Sequence, residues 1–163
     1  MSYLEQSTRY ISYDSRFGGR YRYYRDPEIM DSSFGARYIG DMDRIFDTYA
    51  HLVPQMQDFV RDQFPKHPDD GDFVYRQAVK AKAFDALRGL LPAASLSNVG
   101  IYGTGQAYEA LLLRMRSHPL PESRYYADFM LRELRKVIPS FLERVDREDR
   151  GVVWSEYLQE TRE

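Results

Sequence analysis

The sequence predicts a helix-rich α+β domain whose β content is confined to a hairpin near the amino terminus. Apolar residues recur at three- and four-residue steps over much of residues 41–138, the period of amphipathic helices. Two short β-prone runs before residue 27 are separated by paired glycines. The 163 residues make one ordinary domain, of a size that buries about 70% of the surface exposed by its unfolded chain.

In chain order, Tyr10-Ile11-Ser12-Tyr13 and Tyr21-Arg22-Tyr23-Tyr24 are the β-prone runs. Gly18 and Gly19 between them can take the positive φ of a tight hairpin turn, and Pro27 ends the second run. From about Asp41 to Phe64, Met42, Ile45, Phe46, Tyr49, Leu52, Val53, Met56, Phe59 and Val60 form one apolar stripe. Pro54 should kink that helix or split it. A polar loop, Pro65 to Asp72, leads to a second helix capped at Asp72. That helix runs through Val74, Ala78, Ala81, Phe84 and Leu87 to about Leu90 and is closed by Pro92. Ala93 to Gly105 reads as irregular or short-stranded. Gln106 to Arg116 forms a short helix ended by Ser117-His118-Pro119. Pro121 opens another, Glu122 to about Val137, with Tyr126, Phe129, Met130, Leu134, Val137 and Ile138 inward. Residues 143–163 carry 7 acids and 4 arginines and are expected to form a solvated helix or frayed tail, with Trp154 available to pin it. The expected organisation is a domain over 1–142 and a charged tail over 143–163.

Composition excludes several classes. With no cysteine there is no disulfide scaffold, thiol nucleophile, zinc finger or iron–sulfur site. No apolar run approaches the roughly 20 residues that span a bilayer, and nothing at the amino terminus reads as a signal peptide. The chain is therefore expected to be soluble and cytoplasmic, with no membrane partner. A net charge of −2 argues against an obligate nucleic-acid binder. The basic residues are lopsided, 19 Arg to 4 Lys. Arginine's planar fork suits carboxylates and phosphates, although genomic base composition yields the same bias. His51, His67 and His118 are scattered without metal-ligand spacing, so no metal is expected.

Three segments could carry chemistry, and each has a plainer reading. Glu5-Gln6-Ser7-Thr8-Arg9-Tyr10 packs hydroxyls, amides and a guanidinium that could hold a phosphate; otherwise it is a polar strand start with a surface arginine. Gly100-Ile101-Tyr102-Gly103-Thr104-Gly105 could bring backbone amides to an anion at a helix start, yet it matches neither phosphate-loop nor dinucleotide spacing and also reads as a tight turn. Arg88, ahead of Leu91-Pro92, closes an apolar helix where a cation offsets the macrodipole; Arg114 and Arg116 could be surface charges. The Tyr/Arg-rich hairpin could stack single-stranded bases or pack across its own strands.

Together these segments resemble the flavin-dependent thymidylate synthases. That family's signature ends in Glu-x-Ser-x-Arg-Tyr, matched by Glu5, Ser7, Arg9 and Tyr10. Its second block, an arginine three residues before Leu-Pro, a polar strand, and a helix ending Leu-Arg, is matched by Arg88, Leu91-Pro92, Ser95 to Tyr102 and Leu113-Arg114. Arg20 to Pro27, Phe46-Asp47-Thr48-Tyr49 and Lys136 to Phe141 are similar to a divergent, thymidylate-synthase-like branch. The similarity covers roughly residues 3–142 and implies the carboxy-terminal part of that fold.

The resemblance implies reductive methylation of dUMP to dTMP, with FAD reduced by NADPH and methylenetetrahydrofolate as carbon donor, in a homotetramer. The family uses no cysteine nucleophile. Carried over by position, Glu5, Ser7 and Arg9 bind the substrate's phosphate and sugar. Arg88 binds the pyrimidine and is the catalytic group, stabilising charge developing on the ring. Arg114 is a further nucleotide contact. The family's Asn-x-Arg flavin contacts fall on Thr104 and Gln106, a replacement that removes an amide contact and a charge. Its Arg-His-Arg run would fall ahead of Met1, so the chain is expected to be either a fragment or a truncated relative. The alternative function is a catalytically inactive scaffold or oligomerisation protein, with the Met42–Val60 stripe as an intersubunit face.

Overall fold

The computed structural model describes residues 1–161. Two strands, β1 (Ser2–Glu5) and β2 (Val99–Tyr102), pair into one sheet. The helices are α1 (Pro27–Met30), α2 (Gly35–Gln63), α3 (Asp72–Leu87), α4 (Gly105–Arg116), α5 (Pro121–Leu134), α6 (Pro139–Leu142) and α7 (Val153–Glu160). Short 3-10 turns occupy Thr8–Tyr10 and Arg88–Leu90, and a wide π-type turn Glu148–Val152. The helix-rich α+β class is therefore the observed one. The chain divides into two compact units, residues 4–99 and residues 1–3 with 100–163, and each has its own core.

In the 4–99 unit the predicted hairpin closes at its glycines. Phe17 N–H donates to the Arg20 carbonyl at 2.8 Å and Arg20 N–H to the Phe17 carbonyl at 3.2 Å. Gly18 and Gly19 sit at φ 58° and 79°, the left-handed region that L side chains resist. Beyond that bridge the two runs separate, because their tyrosines turn inward instead of pairing. Tyr13, Tyr21 and Tyr23 are buried around Phe46 of α2, with ring centroids 6.1, 5.2 and 5.6 Å from it. Each phenol tip finds an acceptor: Tyr13 donates to the Leu96 carbonyl at 2.8 Å, Tyr21 to Asp47 at 2.6 Å and Tyr23 to Asp43 at 2.9 Å. A buried ring with a satisfied hydroxyl is what tyrosine offers over phenylalanine.

The α2 stripe is the other wall of this core. Phe46, Tyr49 and Val53 are buried in it, with Met42, Leu52 and Met56 packed alongside. Phe46, Tyr49, Val53 and Val60 of the stripe are thus interior, whereas Phe59 is exposed. Pro54 neither splits nor ends the helix, which runs from Gly35 to Gln63. Buried Tyr49 and Val53 ahead of it and Val60 beyond it hold the flanking turns, which offsets the lost Pro54 N–H.

Burial is the first cause raising the phenols of Tyr13, Tyr21, Tyr23 and Tyr49 above the ordinary value, which is near 10. A raised folded-state pKa stabilises the fold fully below the unfolded pKa and is lost as pH climbs through the folded one. The 4–99 unit should therefore lose stability above pH of about 10. In an alkaline titration, exposed tyrosines such as Tyr3, Tyr10 and Tyr102 should ionise first, and the tyrosinate absorbance of the buried rings should follow only together with loss of helical circular dichroism. Ionisation of the buried tyrosines with the helix signal intact would contradict the burial account.

In the other unit, the Thr104 hydroxyl caps α4 by accepting the Ala107 N–H at 3.3 Å. Leu112, Ala127, Leu131, Leu142 and Val145 form its core. The buried stripe of α5 is Ala127 and Leu131, supported by Met130 and Leu134, whereas Tyr126, Phe129 and Val137 are exposed. Met130, Leu134 and Ile138 thus lie inward as expected, while the places of the two rings are taken by Ala127 and Leu131. Residues 143–161 carry the π-type turn and α7. Val145 and Gly151 are buried there, and Trp154 stacks on Tyr157 at 5.5 Å while half exposed. Arg162 and Glu163 of the charged tail lie outside the described residues.

Candidate functional site

Segment 5–9 is held at Gln6 by backbone and side-chain hydrogen bonds to Ser97 and Asn98. Gln6 N–H donates to the Asn98 carbonyl at 2.9 Å, Ser97 Oγ donates to the Gln6 carbonyl at 2.7 Å, and Asn98 Nδ2 donates to Gln6 Oε1 at 2.8 Å. The chain then tightens into the Thr8–Tyr10 turn, closed by Tyr10 N–H to the Ser7 carbonyl at 3.0 Å, and this turn packs on α3. Arg9 is thereby aimed at the last turn of α3. Arg88 follows that helix directly, at its C-cap, where a cation offsets the macrodipole.

Both arginines meet Asp85. Arg9 Nη2 donates to Asp85 Oδ2 at 2.9 Å, and Arg88 Nε lies 3.3 Å from Oδ1. The carboxylate beside it holds the Arg9 guanidinium above its already high ordinary pKa, first through the hydrogen bond and then through charge. Side-chain exposure is 43% for Arg9, 36% for Asp85 and 50% for Arg88. Ion pairs that open to water contribute little to stability, so the arrangement chiefly fixes direction. Oδ1 itself is buried and accepts no hydrogen bond; the Arg88 contact is ionic and off-axis.

Beside Arg9 lies a depression of about 130 Å³ lined by Arg9, Tyr10, Gln77, Lys80, Ala81 and Phe84. Lys80 Nζ sits 5.4 Å from the Phe84 ring centroid and pairs with no carboxylate among the described residues. The lining thus holds two cations and no acid, which suits an anion with a small organic body. Sequence reasoning named Arg9 and Arg88 and missed Asp85, Gln77 and Lys80. Asp85 carried a usable signal, since a carboxylate three residues before an arginine shares its helix face. Gln77 and Lys80 carried none, because only the fold brings the Thr8–Tyr10 turn against them.

The remaining candidates are placed as follows. Glu5 ends β1, exposed, and Ser7 is exposed with no side-chain cap bond. Thr104, Gln106 and Arg114 belong to the other unit, at the start and in the last turn of α4. The glycine turn before α4 is a packing device: a Cβ on Gly105 would stand 2.3 Å from the Phe141 ring, and one on Gly103 3.0 Å from Met1 Cγ. That favours the tight-turn reading over an open phosphate cradle. A shallow depression of about 350 Å³ lies along α4, lined by Met1, Tyr3, Ala107, Ala110, Leu111 and Arg114. In the 4–99 unit the hairpin's Tyr13, Tyr21 and Tyr23 are interior, with Arg16 and Arg25 over the Tyr21 and Tyr23 rings at 4.7 and 3.9 Å. Those rings are not presented to single-stranded bases. No helix among the described residues is long and apolar enough to cross a membrane.

These features define a helix-rich α+β protein that presents two arginines, brought from distant segments, around one carboxylate at the edge of a small cationic depression. The chain belongs to the thymidylate synthase complementing protein family, whose model matches residues 1–140. It is 42% identical over 143 residues to a UPF0159 protein of Chlamydia pneumoniae, covering 88% of this chain and 27% of that protein. A UPF0159 protein of Chlamydia muridarum is 41% identical with the same coverage, and one of Thermoplasma acidophilum is 29% identical over 164 residues, 88% of this chain and 33% of that protein. The chain thus spans between about a quarter and a third of the length of these relatives.

Proposed function

We propose that the 4–99 unit binds a uridylate, as part of a flavin-dependent thymidylate synthase relative that methylates dUMP reductively to dTMP. The observation that supports this reading is the convergence of Arg9 and Arg88, from opposite ends of the unit, on Asp85. In that reading Glu5, Ser7 and Arg9 hold the phosphate and sugar, and charge-assisted forks from arginine suit the phosphate. Arg88 stabilises negative charge as it develops on the pyrimidine. By family resemblance α4 supplies Arg114 to a nucleotide and Thr104 and Gln106 to FAD. FAD, reduced by NADPH, supplies the hydride, and the methylene carbon comes from a folate. A homotetrameric, cytoplasmic protein is the state expected for it.

Melting of the purified chain tests the reading. At 100 times its dissociation constant dUMP should add about 2.7 kcal/mol of stability. Arg9→Ala and Arg88→Ala should each weaken binding about tenfold or more, the worth of a hydrogen bond to a charged group. A melting midpoint that dUMP leaves untouched at saturating concentrations would remove the uridylate from this site. The same sample mixed with FAD and NADPH should show flavin absorbance bleaching on dUMP addition, and an unchanged flavin spectrum would count against the reductive methylation.

A further inference from the structure

The Asp85 carboxylate has no role in the proposed reading, yet it is the group that both candidate arginines contact. It lies one turn before Arg88 on α3 and meets Arg9 from a segment 76 residues earlier. Contacts this open to water stabilise a fold little. They do, however, remove rotamer freedom from two long side chains, an ordering that a ligand would otherwise have to impose on binding. One carboxylate therefore pre-orders two guanidiniums with a single anchor. Arg9 spends only Nη2 on it, and a guanidinium has five N–H donors in a rigid fork, so both arginines keep donors for a ligand. Oδ1 is buried and still short of a hydrogen bond. A buried acceptor in that condition is costly, so a small rotation of Arg88 that brings Nε into line is favourable.

We propose that Asp85 is a positioning residue that locks Arg9 and Arg88 into one unit, setting the distance between a phosphate-facing and a ring-facing guanidinium. The identity of the ligand rests on the uridylate reading above; the coupling of the two arginines does not. Charge is consistent with this role. Arg9, Arg88 and Asp85 together carry one net positive charge, and Lys80 in the adjacent depression adds a second. A phosphomonoester brings about −1.5 to −2 at neutral pH. Asp85 thus limits the attraction to what one phosphate neutralises while fixing its direction.

Asp85→Asn in the full chain separates positioning from charge, because it keeps size and removes the negative charge. Two readouts apply, the side-chain ¹⁵N resonances of Arg9 and Arg88 without ligand, and the affinities for dUMP and for inorganic phosphate. The expected result is that both arginine resonances move together toward freely rotating values. Phosphate should then bind as tightly as before or more so, while dUMP weakens about tenfold, and Asp85→Glu should restore part of the dUMP affinity. Parallel tightening of dUMP and phosphate would show Asp85 to be only a competing charge and would overturn the proposal. So would an Arg9 resonance that does not respond. If the wild-type chain binds phosphate without favouring dUMP, yet both resonances move in Asp85→Asn, the uridylate reading fails and the coupling stands. A variant with an altered circular dichroism spectrum is replaced by Asp85→Glu alone, for which an unshifted dUMP affinity would count against positioning.

Discussion

Phe46→Ala is expected to unfold the 4–99 unit at temperatures the native protein survives. The residue is fully buried, and three tyrosine rings from the hairpin segment lie on it, one of them stacked. Truncating a core phenylalanine costs about 3–5 kcal/mol through lost transfer energy and the cavity left behind. Aromatic pairs add about 0.5–1.5 kcal/mol each beyond burial. Here the cavity cannot collapse cheaply, because Tyr21 and Tyr23 are tethered at their tips to Asp47 and Asp43 on α2 itself. Domain stabilities are commonly about 5–15 kcal/mol, so the loss consumes a large part of the total. Urea titration followed by circular dichroism is the measurement. A midpoint within error of the native protein would mean that the hairpin tyrosines are not the core described above. Since Arg9 and Arg88 are held by this unit, the variant should also lose the proposed phosphate binding as it unfolds.

Gly151→Ala is the corresponding test in the other unit. A Cβ there would lie 2.0 Å from the Val145 carbonyl oxygen and 2.3 Å from that of Arg144. Those are backbone atoms, so the clash is relieved only by moving the turn between α6 and α7, and fully buried Val145 moves with it. Overpacking of this kind costs about 1–3 kcal/mol and occasionally more, with the upper end expected here. Gly40→Ala supplies the contrast. That position is inside α2 with nothing within 4 Å of a new Cβ, and alanine there should stabilise by roughly 0.5–1 kcal/mol. Thermal melts of both variants should therefore move in opposite directions. Two shifts of the same sign would mean that the Val145–Val152 turn is not packed as described.

The helices were readable because their stripes repeat over many turns, which averages out single-residue ambiguity. α2 declared itself despite Pro54, since buried Val60 continues the stripe beyond the proline. The glycine pair at 18–19 announced its turn because few other residues accept that backbone. Ring direction and strand pairing were not legible. Met130, Leu134 and Ile138 face inward as their period predicts, but the space beside them admits Ala127 and Leu131 and not the rings of Tyr126 and Phe129. The tyrosine runs look like strands by propensity, but propensity is a weak vote against the burial of three rings.

By itself the sequence determined a cysteine-free, helix-rich α+β chain, the glycine turn of its hairpin, and the family signature from Glu5 to Tyr10 and around Arg88. Those features are local or periodic, written within a few consecutive residues or a fixed repeat. Only the tertiary structure decided that Arg9 and Arg88 share Asp85, that Lys80 and Gln77 border Arg9, and that the tyrosines are core. Such relations depend on which segments pack together, and side-chain direction at long separation is set by the sum of many weak contacts that no short stretch of chain contains.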